Sequence, residues 1–310
     1  MIFISEEESA RLATHELAYE AVRSAFLAAS RADAVSFPVV LGHASDPTNR
    51  FTIKSATDRS LTGLKVGSYF PSNDAADRPR HNSITLLFDN SVGRIGAIVE
   101  GGILNAYRTA AADAVATDLL ARSDAATLVV FGTGNQAAYE AVAVARVRKL
   151  QTILVVGRDG ERTEAFVARL KAKGLPAVQT DAEAACRKAD IIVTATTATA
   201  PLFNAGWVRP GTHISSMGSD RTGKQELPAG LLARARLFCD LPEQSSRIGE
   251  FQHADPNLPL TAIGDVLAGR AVGRTGDADI TIFDSSGISL QDLYMAKALL
   301  ALFPKADAAP

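Results

Sequence analysis

The motif in the sequence that points most directly to chemistry is a glycine-rich loop of the form G-x-G-x-x-A, at residues 132–137. It follows an apolar run of strand length, 127–131, and precedes a helical pattern over 135–148. In such a loop the first glycine permits a tight turn, the second lets backbone approach a pyrophosphate, and the small third residue allows close helix–strand packing. The N-terminus of the helix adds free N–H groups and a partial positive charge.

We therefore predict that a dinucleotide binds at this loop. The alternative is a glycine turn in a parallel sheet that holds no ligand. The predicted cofactor contacts in the loop are Gly132, Thr133, Gly134, Asn135 and Gln136.

The end of the next predicted strand bears on which dinucleotide binds. An NAD site usually carries Asp or Glu about 20 residues further on, where the carboxylate binds a ribose hydroxyl. This chain has Val156-Gly157-Arg158-Asp159 there. An arginine can pair with a 2′-phosphate, so Arg158 favours NADP over NAD. Two alternatives stay open, since Arg158 can be a solvated loop charge and Asp159 can still serve NAD.

Two hydroxyl side chains follow the third strong strand pattern, 191–195. Ligands of open parallel sheets bind at the carboxyl ends of the strands. Thr196 and Thr197 are therefore candidates for contacts with a cofactor ribose or phosphate. The alternative is that these hydroxyls bond to their own loop.

The elements that position these residues show two kinds of pattern. Before residue 110, short β-rich segments are separated by turn sequences, which indicates an antiparallel or mixed sheet. Ser5 and Thr14 fit the N-caps of two preceding helices, and an Ala-rich helix is predicted over 105–121. The β-rich segments are 37–42, 50–55, 63–70, 83–89 and 93–100.

From residue 127 onward, strand and helix patterns alternate, which predicts a parallel sheet with right-handed crossovers. The predicted fold class is therefore α/β, a Rossmann-type doubly wound parallel sheet plus an α+β domain. Besides 127–131 and 191–195, the predicted strands are 152–156, 177–179, 213–217, 237–240 and 280–283. The predicted helices are 135–148, 161–173, 182–188 and 289–303.

Composition excludes several classes of protein. The 310 residues are 47% hydrophobic, and the formal net charge of −2 argues against a nucleic-acid-binding surplus of basic residues. Two cysteines exclude a disulfide scaffold, and the five scattered histidines match no metal-binding motif, so we expect no metal site. No apolar run approaches the length of a membrane span, and no secretory signal pattern is present. We expect a cytoplasmic protein with neither a nucleic-acid nor a membrane partner.

Several short motifs, taken in order, resemble the ornithine cyclodeaminase/mu-crystallin family over nearly the whole chain. The resemblance implies a homodimer of two-domain subunits. The substrate-binding and dimerisation domain would comprise 1–115 with 289–310, and the dinucleotide-binding domain 116–288. Besides the glycine loop, the motifs are Gly63-Leu-Lys65-Val, Ala106-Tyr-Arg108-Thr-Ala-Ala, Ala189-Asp-Ile-Ile-Val-Thr-Ala-Thr, Met217-Gly-Ser-Asp220, Lys224-Gln-Glu226-Leu, Ile282-Phe-Asp-Ser-Ser-Gly287 and Gln291-Asp292-Leu.

The resemblance also implies the site residues. Lys65 and Arg108 match the family's substrate lysine and arginine, which hold a substrate carboxylate, and Lys65 is taken as catalytic together with Asp220. Asp220 matches the catalytic aspartate that moves the proton of the substrate nitrogen, a role that favours a pKa raised by burial. Met217, in the same motif, is placed in the cofactor site. Glu226 is given a structural or cofactor-loop role. Structural ion pairs for the cations and a turn cap for Asp220 are the alternatives.

One departure from the family pattern affects the predicted carboxylate site. The family often has an arginine just after a proline near residue 39, whereas this chain reads Phe37-Pro38-Val39-Val40. Lys54 is a candidate to replace that arginine. His81 and Ser83, next to a predicted strand, are further candidates for the substrate pocket, with an ordinary loop histidine as the alternative for His81.

These features together predict an NAD(P)-dependent reductase that converts a small imino acid into an amino acid. The first alternative is an ornithine cyclodeaminase, which forms proline and ammonia with NAD as a recycled cofactor. The missing arginine and the missing ribose carboxylate count against it. The second alternative is a non-enzymatic NADP-dependent binding protein like mu-crystallin, against which the matches at Lys65, Arg108 and Asp220 count.

Overall fold

The structure, a computed structural model, describes residues 1–303. The chain divides into two compact units. The first, called the terminal unit, comprises Met1–Arg108 and the chain from Ile288 onward, and the second, called the central unit, comprises Thr109–Gly287. The sequence places the boundaries after residues 115 and 288.

The described part of the terminal unit contains a mixed sheet of seven strands. The strand order is β1-β7-β6-β5-β4-β2, with β3 also paired to β4. β1 runs parallel to β7, and the other neighbours are antiparallel. The strands are β1 (Ile2–Ile4), β2 (Val35–Ser36), β3 (Val40–His43), β4 (Arg50–Asp58), β5 (Leu61–Tyr69), β6 (His81–Asp89) and β7 (Arg94–Glu100).

Helices cover one face of this sheet. They are α1 (Glu6–Leu12), α2 (His15–Ala29), the first part of α3 (Gly102–Leu120) and the last helix, α10 (Ser289–Leu302). The predicted N-caps are confirmed, because Ser5 and Glu8 form a reciprocal capping box and the Thr14 hydroxyl accepts a hydrogen bond from the backbone of Leu17. Helix α10 packs against α2 and against β4, β5 and β6. Phe26 and Leu293 are fully buried in this core.

The opposite face of the same sheet is apolar but incompletely covered. Val40, Ile53, Val66 and Ile84 stand directly opposite one another on four neighbouring strands. Side chains paired in this way lie on one face of a sheet. None of the four is buried, and Val40 is 53% exposed. A second apolar row, Leu64, Leu86, Ile98 and Phe3, lies on this face and is also unburied.

Residues 109–287, all of which the structure describes, form an eight-stranded parallel sheet with helices. Its strand order is β10-β9-β8-β11-β12-β15-β13-β14. The strands are β8 (Thr127–Phe131), β9 (Thr152–Val156), β10 (Ala177–Gln179), β11 (Ile191–Thr194), β12 (His213–Ser216), β13 (Arg236–Cys239), β14 (Leu260–Ala262) and β15 (Thr281–Asp284). The helices are α4 (Asn135–Val147), α5 (Gly160–Lys171), α6 (Ala182–Cys186), α7 (Ala229–Leu232), α8 (Pro242–Ile248) and α9 (Ile263–Leu267).

This topology determines where a ligand of the central unit would bind. From β8 the chain proceeds to β9 and β10 on one side, and then returns to β11 and β12 on the other. The reversal lies between β8 and β11, and ligands of doubly wound sheets bind outside the carboxyl ends of the strands at that point. The buried apolar runs 128–131 and 191–193 supply strands covered on both faces. The α/β class predicted from the alternating pattern is confirmed.

Some predicted elements differ from the structure. The segment predicted as a strand, 37–42, starts later than predicted, because residues 37–39 form a gap between β2 and β3 and strand structure begins only at Val40. Pro38 lies in the gap and lacks the N–H that a sheet ladder needs. The short strands β1, β2 and β14 were not predicted. Helix α6 ends at Cys186, two residues earlier than predicted.

Candidate active site

A buried cluster of charges lies in the terminal unit. Lys65 is central in β5, Arg108 lies in α3 and Asp292 lies in the first turn of α10. Lys65 Nζ is 2.8 Å from Asp292 Oδ1, and Arg108 Nε is 3.2 Å from the same oxygen. Asn105 Oδ1 accepts hydrogen bonds from Lys65 Nζ at 2.8 Å and from Arg108 Nη2 at 2.6 Å. The structure therefore brings the two predicted cations together, held by one carboxylate and one amide.

Burial and neighbouring charges shift the pKa values in this cluster. Burial lowers the pKa of Lys65 to about 8; the carboxylate of Asp292 opposes that shift, and the charges of Arg108 and Lys54 add to it. Burial alone would raise the pKa of Asp292, but the charges of Lys65 and Arg108 outweigh it and hold that pKa below its usual range. Near neutral pH the cluster is thus two adjacent cations facing one anion.

The other predicted pocket residues lie on the same sheet at different distances. Lys54 in β4 stands directly opposite Lys65, so the two side chains share a face of the sheet. Ser83 also lies on this face, opposite Gly67, and its hydroxyl donates to the carbonyl oxygen of Gly101 at 2.7 Å. His81 is exposed at the start of β6, four positions from the residue opposite Lys65, or about 13 Å along the strand. The structure therefore does not bring His81 into the cluster.

The glycine loop of the central unit has the geometry that a pyrophosphate requires. Gly132 has a φ of 121°, and a Cβ there would lie 2.7 Å from the carbonyl oxygen of Ala195. At Gly134, which precedes α4, a Cβ would meet nothing within 4 Å. In residues 1–303 no side chain caps the N-terminus of α4. The loop therefore leaves open space beside free backbone N–H groups, which fits the phosphates of a dinucleotide.

The remaining loop residues are oriented by the protein. The side-chain oxygen of Asn135 accepts from Arg169 Nη2 at 3.0 Å, and Gln136 Nε2 donates to the buried Glu140 at 2.6 Å. Thr133 lies in the glycine loop next to the end of β9. Its methyl group would be 2.8 Å from a Cβ at Gly157. These contacts hold the first turn of α4 against its neighbours.

The two charged residues that follow β9, Arg158 and Asp159, have different surroundings. Asp159 is the N-cap of α5, since its side chain accepts from the backbone N of Arg162 at 2.9 Å. Arg158 is exposed, with no hydrogen bond or ion pair to any other residue of 1–303. At Gly157 a Cβ would lie 2.2 Å from Thr163 Oγ1, so a carboxylate side chain does not fit at that position.

The loops after β11 and β12 are joined by one buried carboxylate, Glu226. Its Oε1 accepts from the backbone N and the hydroxyl of Thr196, both at 2.7 Å. Its Oε2 accepts from Thr194 Oγ1 at 2.7 Å and from the backbone N of Gly218 at 2.9 Å. Burial raises the pKa of Glu226, and the hydrogen bonds from Thr196 and Thr194 oppose that rise. The Thr196 hydroxyl thus donates to Glu226 in the loop after β12 and accepts from the backbone N of Ala198 in its own loop at 3.1 Å, whereas Thr197 is exposed.

Asp220 lies after β12, three residues beyond the buried Met217. Its Oδ1 is 2.6 Å from Lys224 Nζ, and Lys224 also donates to the carbonyl oxygen of Gly218 at 2.7 Å. The side chain of Asp220 is 60% exposed, so the burial that its predicted catalytic role would favour is absent. The loop between Gly218 and Glu226 turns back on itself, and Lys224 thereby holds the carboxylate at the tip.

Similarity to known proteins identifies the family of this chain. The family model of the ornithine cyclodeaminase/mu-crystallin family matches residues 3–301. The chain belongs to this family. The iminosuccinate reductase of Paracoccus denitrificans is 38% identical over 97% of this chain and 96% of its own length. Its crystal structure, in complex with NAD+, superposes with a TM-score of 0.92 over the same shares of the two chains.

Two further proteins are also similar to this chain. A Δ1-pyrroline-2-carboxylate reductase of Bacillus cereus is 34% identical over 76% of each chain. An archaeal alanine dehydrogenase, solved as a dimer with bound NAD, is 29% identical, with a TM-score of 0.91 over 97% of this chain and 95% of that one. In this chain, none of the helices within residues 1–303 is both long and apolar enough to cross a bilayer.

Sequence reasoning missed two members of the charge cluster. Asp292 stood in a family motif without a role, and Asn105 was not considered. One signal could have found Asp292: two long cations placed in apolar elements need a partner, and the acidic residue of the last helix was available. No comparable pattern marks Asn105, whose position one turn before Arg108 matters only because both side chains face Lys65.

Proposed function

We propose that this enzyme reduces a small imino acid to the corresponding amino acid with NAD(P)H. The observation that carries the proposal is the buried pair Lys65 and Arg108, which share the single carboxylate of Asp292. A site with more cations than anions binds carboxylates, and every imino acid substrate of this class has one. The open glycine loop of the central unit supports the choice of cofactor. The two reductases described above are named for imine substrates, iminosuccinate and Δ1-pyrroline-2-carboxylate.

The substrate carboxylate is bound by Lys65 and Arg108. The guanidinium offers a planar fork that matches a carboxylate, and the ammonium adds a point charge. Asp292 and Asn105 fix both cations before the substrate arrives, so little side-chain entropy is lost on binding. Lys65 also contributes to catalysis, since it holds the substrate in the orientation that hydride transfer to the C=N carbon requires.

Asp220 exchanges the proton of the substrate nitrogen. Its exposed carboxylate is held in place by Lys224. An aspartate in this role contributes about 10²–10⁴-fold to the rate. When bound, the reduced nicotinamide supplies the hydride that the C=N carbon accepts. The protein itself contributes orientation and electrostatics.

The cofactor is held by the glycine loop, residues 132–136. Thr197 in the loop after β11 and Met217 in the loop after β12 also contact it. We propose NADP as the preferred form. The support is that Arg158 is exposed at the end of β9, that Asp159 is used as a helix cap, and that Gly157 has no room for a carboxylate side chain. The P. denitrificans structure contains NAD+, so both forms are to be compared in any assay.

We also propose a homodimer built on the uncovered face of the terminal sheet. Two apolar rows on that face, led by Val40 and Ile53, remain unburied. Contiguous apolar surface of this kind marks an interaction site. The apolar face of one terminal sheet can therefore pack against the same face of a second copy. The proposed location is the cytoplasm. A solution mass equal to one chain would contradict the dimer.

The test is oxidation of NADPH or NADH, followed by absorbance, with a panel of imino acids. We expect turnover with at least one of them, and a lower KM for NADPH than for NADH. Ammonia release from ornithine without net cofactor oxidation would instead identify a cyclodeaminase. Absence of turnover with every imine would refute the proposal.

A further inference from the structure

Two buried carboxyl groups meet inside the central unit. Asp113 lies in α3 and Glu140 lies in α4, and neither side chain is exposed to solvent. The two form a hydrogen bond with each other, and Asp113 Oδ1 also accepts from Thr117 Oγ1 at 3.0 Å. The mechanism proposed above gives neither carboxyl group a role, although an uncompensated buried charge would be costly.

The contacts of this carboxyl pair require a proton. A hydrogen bond between two carboxyl groups forms only when one of them is protonated, since an ionised carboxylate is only an acceptor. Asp113 Oδ2 is buried and meets no donor among the described residues 1–303 other than a proton carried by Glu140. Two ionised carboxylates at hydrogen-bond distance would also repel each other. The pair therefore holds one proton and carries a single negative charge.

The neighbouring hydroxyl groups place that proton on Glu140. Burial has the largest effect on the pKa of Asp113 and raises it, whereas hydrogen bonds from Ser215, Glu140 and Thr117 oppose the rise. Hydrogen bonds donated to a carboxylate favour its charged form. Asp113 is thus the ionised partner of the pair, and the Glu140 carboxyl group donates to it.

The protonated carboxyl group is connected to the glycine loop through Gln136. Glu140 Oε1 accepts a hydrogen bond from Gln136 Nε2 at 2.6 Å. Gln136 is the second residue of α4, in the turn that offers backbone N–H groups to a phosphate. Residues four positions apart share one face of a helix, so these contacts tie the first two turns of α4 to Asp113 in α3. Loss of the proton would separate Glu140 from Asp113 and release Gln136 from this arrangement.

We propose that Asp113 and Glu140 share one proton and that the protonated pair positions Gln136, and with it the first turn of α4, for the phosphates of the cofactor. Glu140 is a positioning residue, because it acts on the cofactor through Gln136. The single charge of the pair matters as well, since a second buried anion near this turn would oppose binding of the pyrophosphate. This inference rests on the proposed function, which places a dinucleotide at the glycine loop.

The test uses two substitutions of Glu140 and a matched control. Glu140→Gln keeps the single charge of the pair, because its amide N–H can donate to Asp113 while its amide oxygen still accepts from Gln136. Glu140→Met is similar in size but removes both contacts. Glu164→Met, at an exposed glutamate of α5, is the control.

We expect Glu140→Gln to bind NADPH within about threefold of the wild type and to melt within about 3 °C of it. Glu140→Met should raise Kd and KM for NADPH at least about tenfold while kcat changes less than about threefold, because the substitution leaves Asp220 unchanged. Glu164→Met should alter none of these values. An affinity of Glu140→Gln as weak as that of Glu140→Met, or an unchanged affinity of Glu140→Met, would overturn the inference. A melting temperature of Glu140→Gln far above that of the wild type would also overturn it, because it would show two repelling charges in the wild type.

Infrared difference spectroscopy detects the proton itself and needs neither turnover nor a folded Glu140→Met variant. The spectrum of the wild type minus that of Glu140→Gln should contain the C=O band of a protonated carboxylic acid, and this band should shift in D2O. The wild type minus Glu164→Met should lack it. Loss of an ionised carboxylate band in its place would overturn the inference and leave the proposed function intact. A wild type that binds neither NADPH nor NADH would instead refute the proposed function, and the positioning role with it.

Discussion

Replacing Asp292 by Asn removes the one charge that balances Lys65 and Arg108 while it preserves the shape of the side chain. The amide oxygen can still accept from Lys65 Nζ, which lies 2.8 Å from Asp292 Oδ1. The variant therefore tests charge rather than packing. Removing one partner of a buried ion pair typically costs about 3–5 kcal/mol, because the other charge stays buried without compensation.

The structure divides this loss between the two cations. The pKa of Lys65 is already lowered to about 8. At pH 7 this side chain can therefore avoid an uncompensated charge by releasing its proton, at a cost of about 1.4 kcal/mol, one pKa unit. The Lys65 share of the loss cannot exceed that amount. Arg108 does not deprotonate in proteins, so the greater part of the loss comes from its guanidinium.

The division predicts a pH dependence with a definite sign. In the wild type the folded-state pKa of Lys65, about 8, lies below the ordinary 10.5, so the unfolded chain binds more protons and stability rises with pH between these values. In Asp292→Asn the folded-state pKa is lower still, and the rise begins at lower pH. At pH 9 Lys65 is largely neutral in both proteins, so the difference in unfolding free energy should shrink by about 1 kcal/mol relative to pH 7.

Urea unfolding followed by circular dichroism at pH 7 and pH 9 measures both quantities. Asp124→Asn is the control, because Asp124 pairs with Arg122 but is 77% exposed, and its midpoint should not move. A midpoint of Asp292→Asn equal to that of the wild type at pH 7 would refute the buried-charge argument. A deficit that stays constant or grows at pH 9 would refute the role given to Lys65.

Three further predictions concern binding and catalysis. Gly134→Ala should leave the melting temperature unchanged but weaken NADPH binding about tenfold or more, whereas Gly132→Ala should lower stability as well, because of its positive φ and the nearby carbonyl; calorimetry and fluorescence titration distinguish them. Asp220→Asn should lower kcat about 10²–10⁴-fold with an unchanged Kd for NADPH, and retained turnover would show that the proton assignment is wrong. KM for the substrate should rise up to about tenfold per pH unit above pH 8 as Lys65 loses its charge, and a flat profile to pH 10 would contradict this.

The central unit was largely predictable from sequence because its strands are buried on both faces. Runs such as Thr127–Phe131 and Thr152–Val156 are continuous, apolar and bounded by turns, and their predicted limits agree with the structure. For the terminal sheet, the sequence predicted the type of sheet but not the limits of its strands. Its strands are long antiparallel pairs whose ends depend on partners, as β4 shows by continuing to Asp58, three residues beyond the prediction.

The site was predictable where a local pattern or a family motif carried it. The glycine loop could be found from its own spacing, and Lys65, Arg108 and Asp220 from the resemblance. The contacts of Asp292 and Glu226 could not, because they depend on tertiary packing between residues distant in sequence. The exposure of Asp220 could not be predicted either. The apolar pattern before it predicts the buried strand β12 but contains no information about the loop that follows.

The separation of Lys65 from Asp292, 227 residues along the chain, has a consequence for synthesis. Chains emerge from the ribosome N-terminus first, and domains generally fold as units. The strands β4–β6 therefore emerge long before α10, and Lys65 lacks its carboxylate throughout that interval. The central unit is contiguous and can close first. The face of the terminal sheet that carries Lys65 is then completed by α10, so the buried charge cluster forms only after the central unit has been translated.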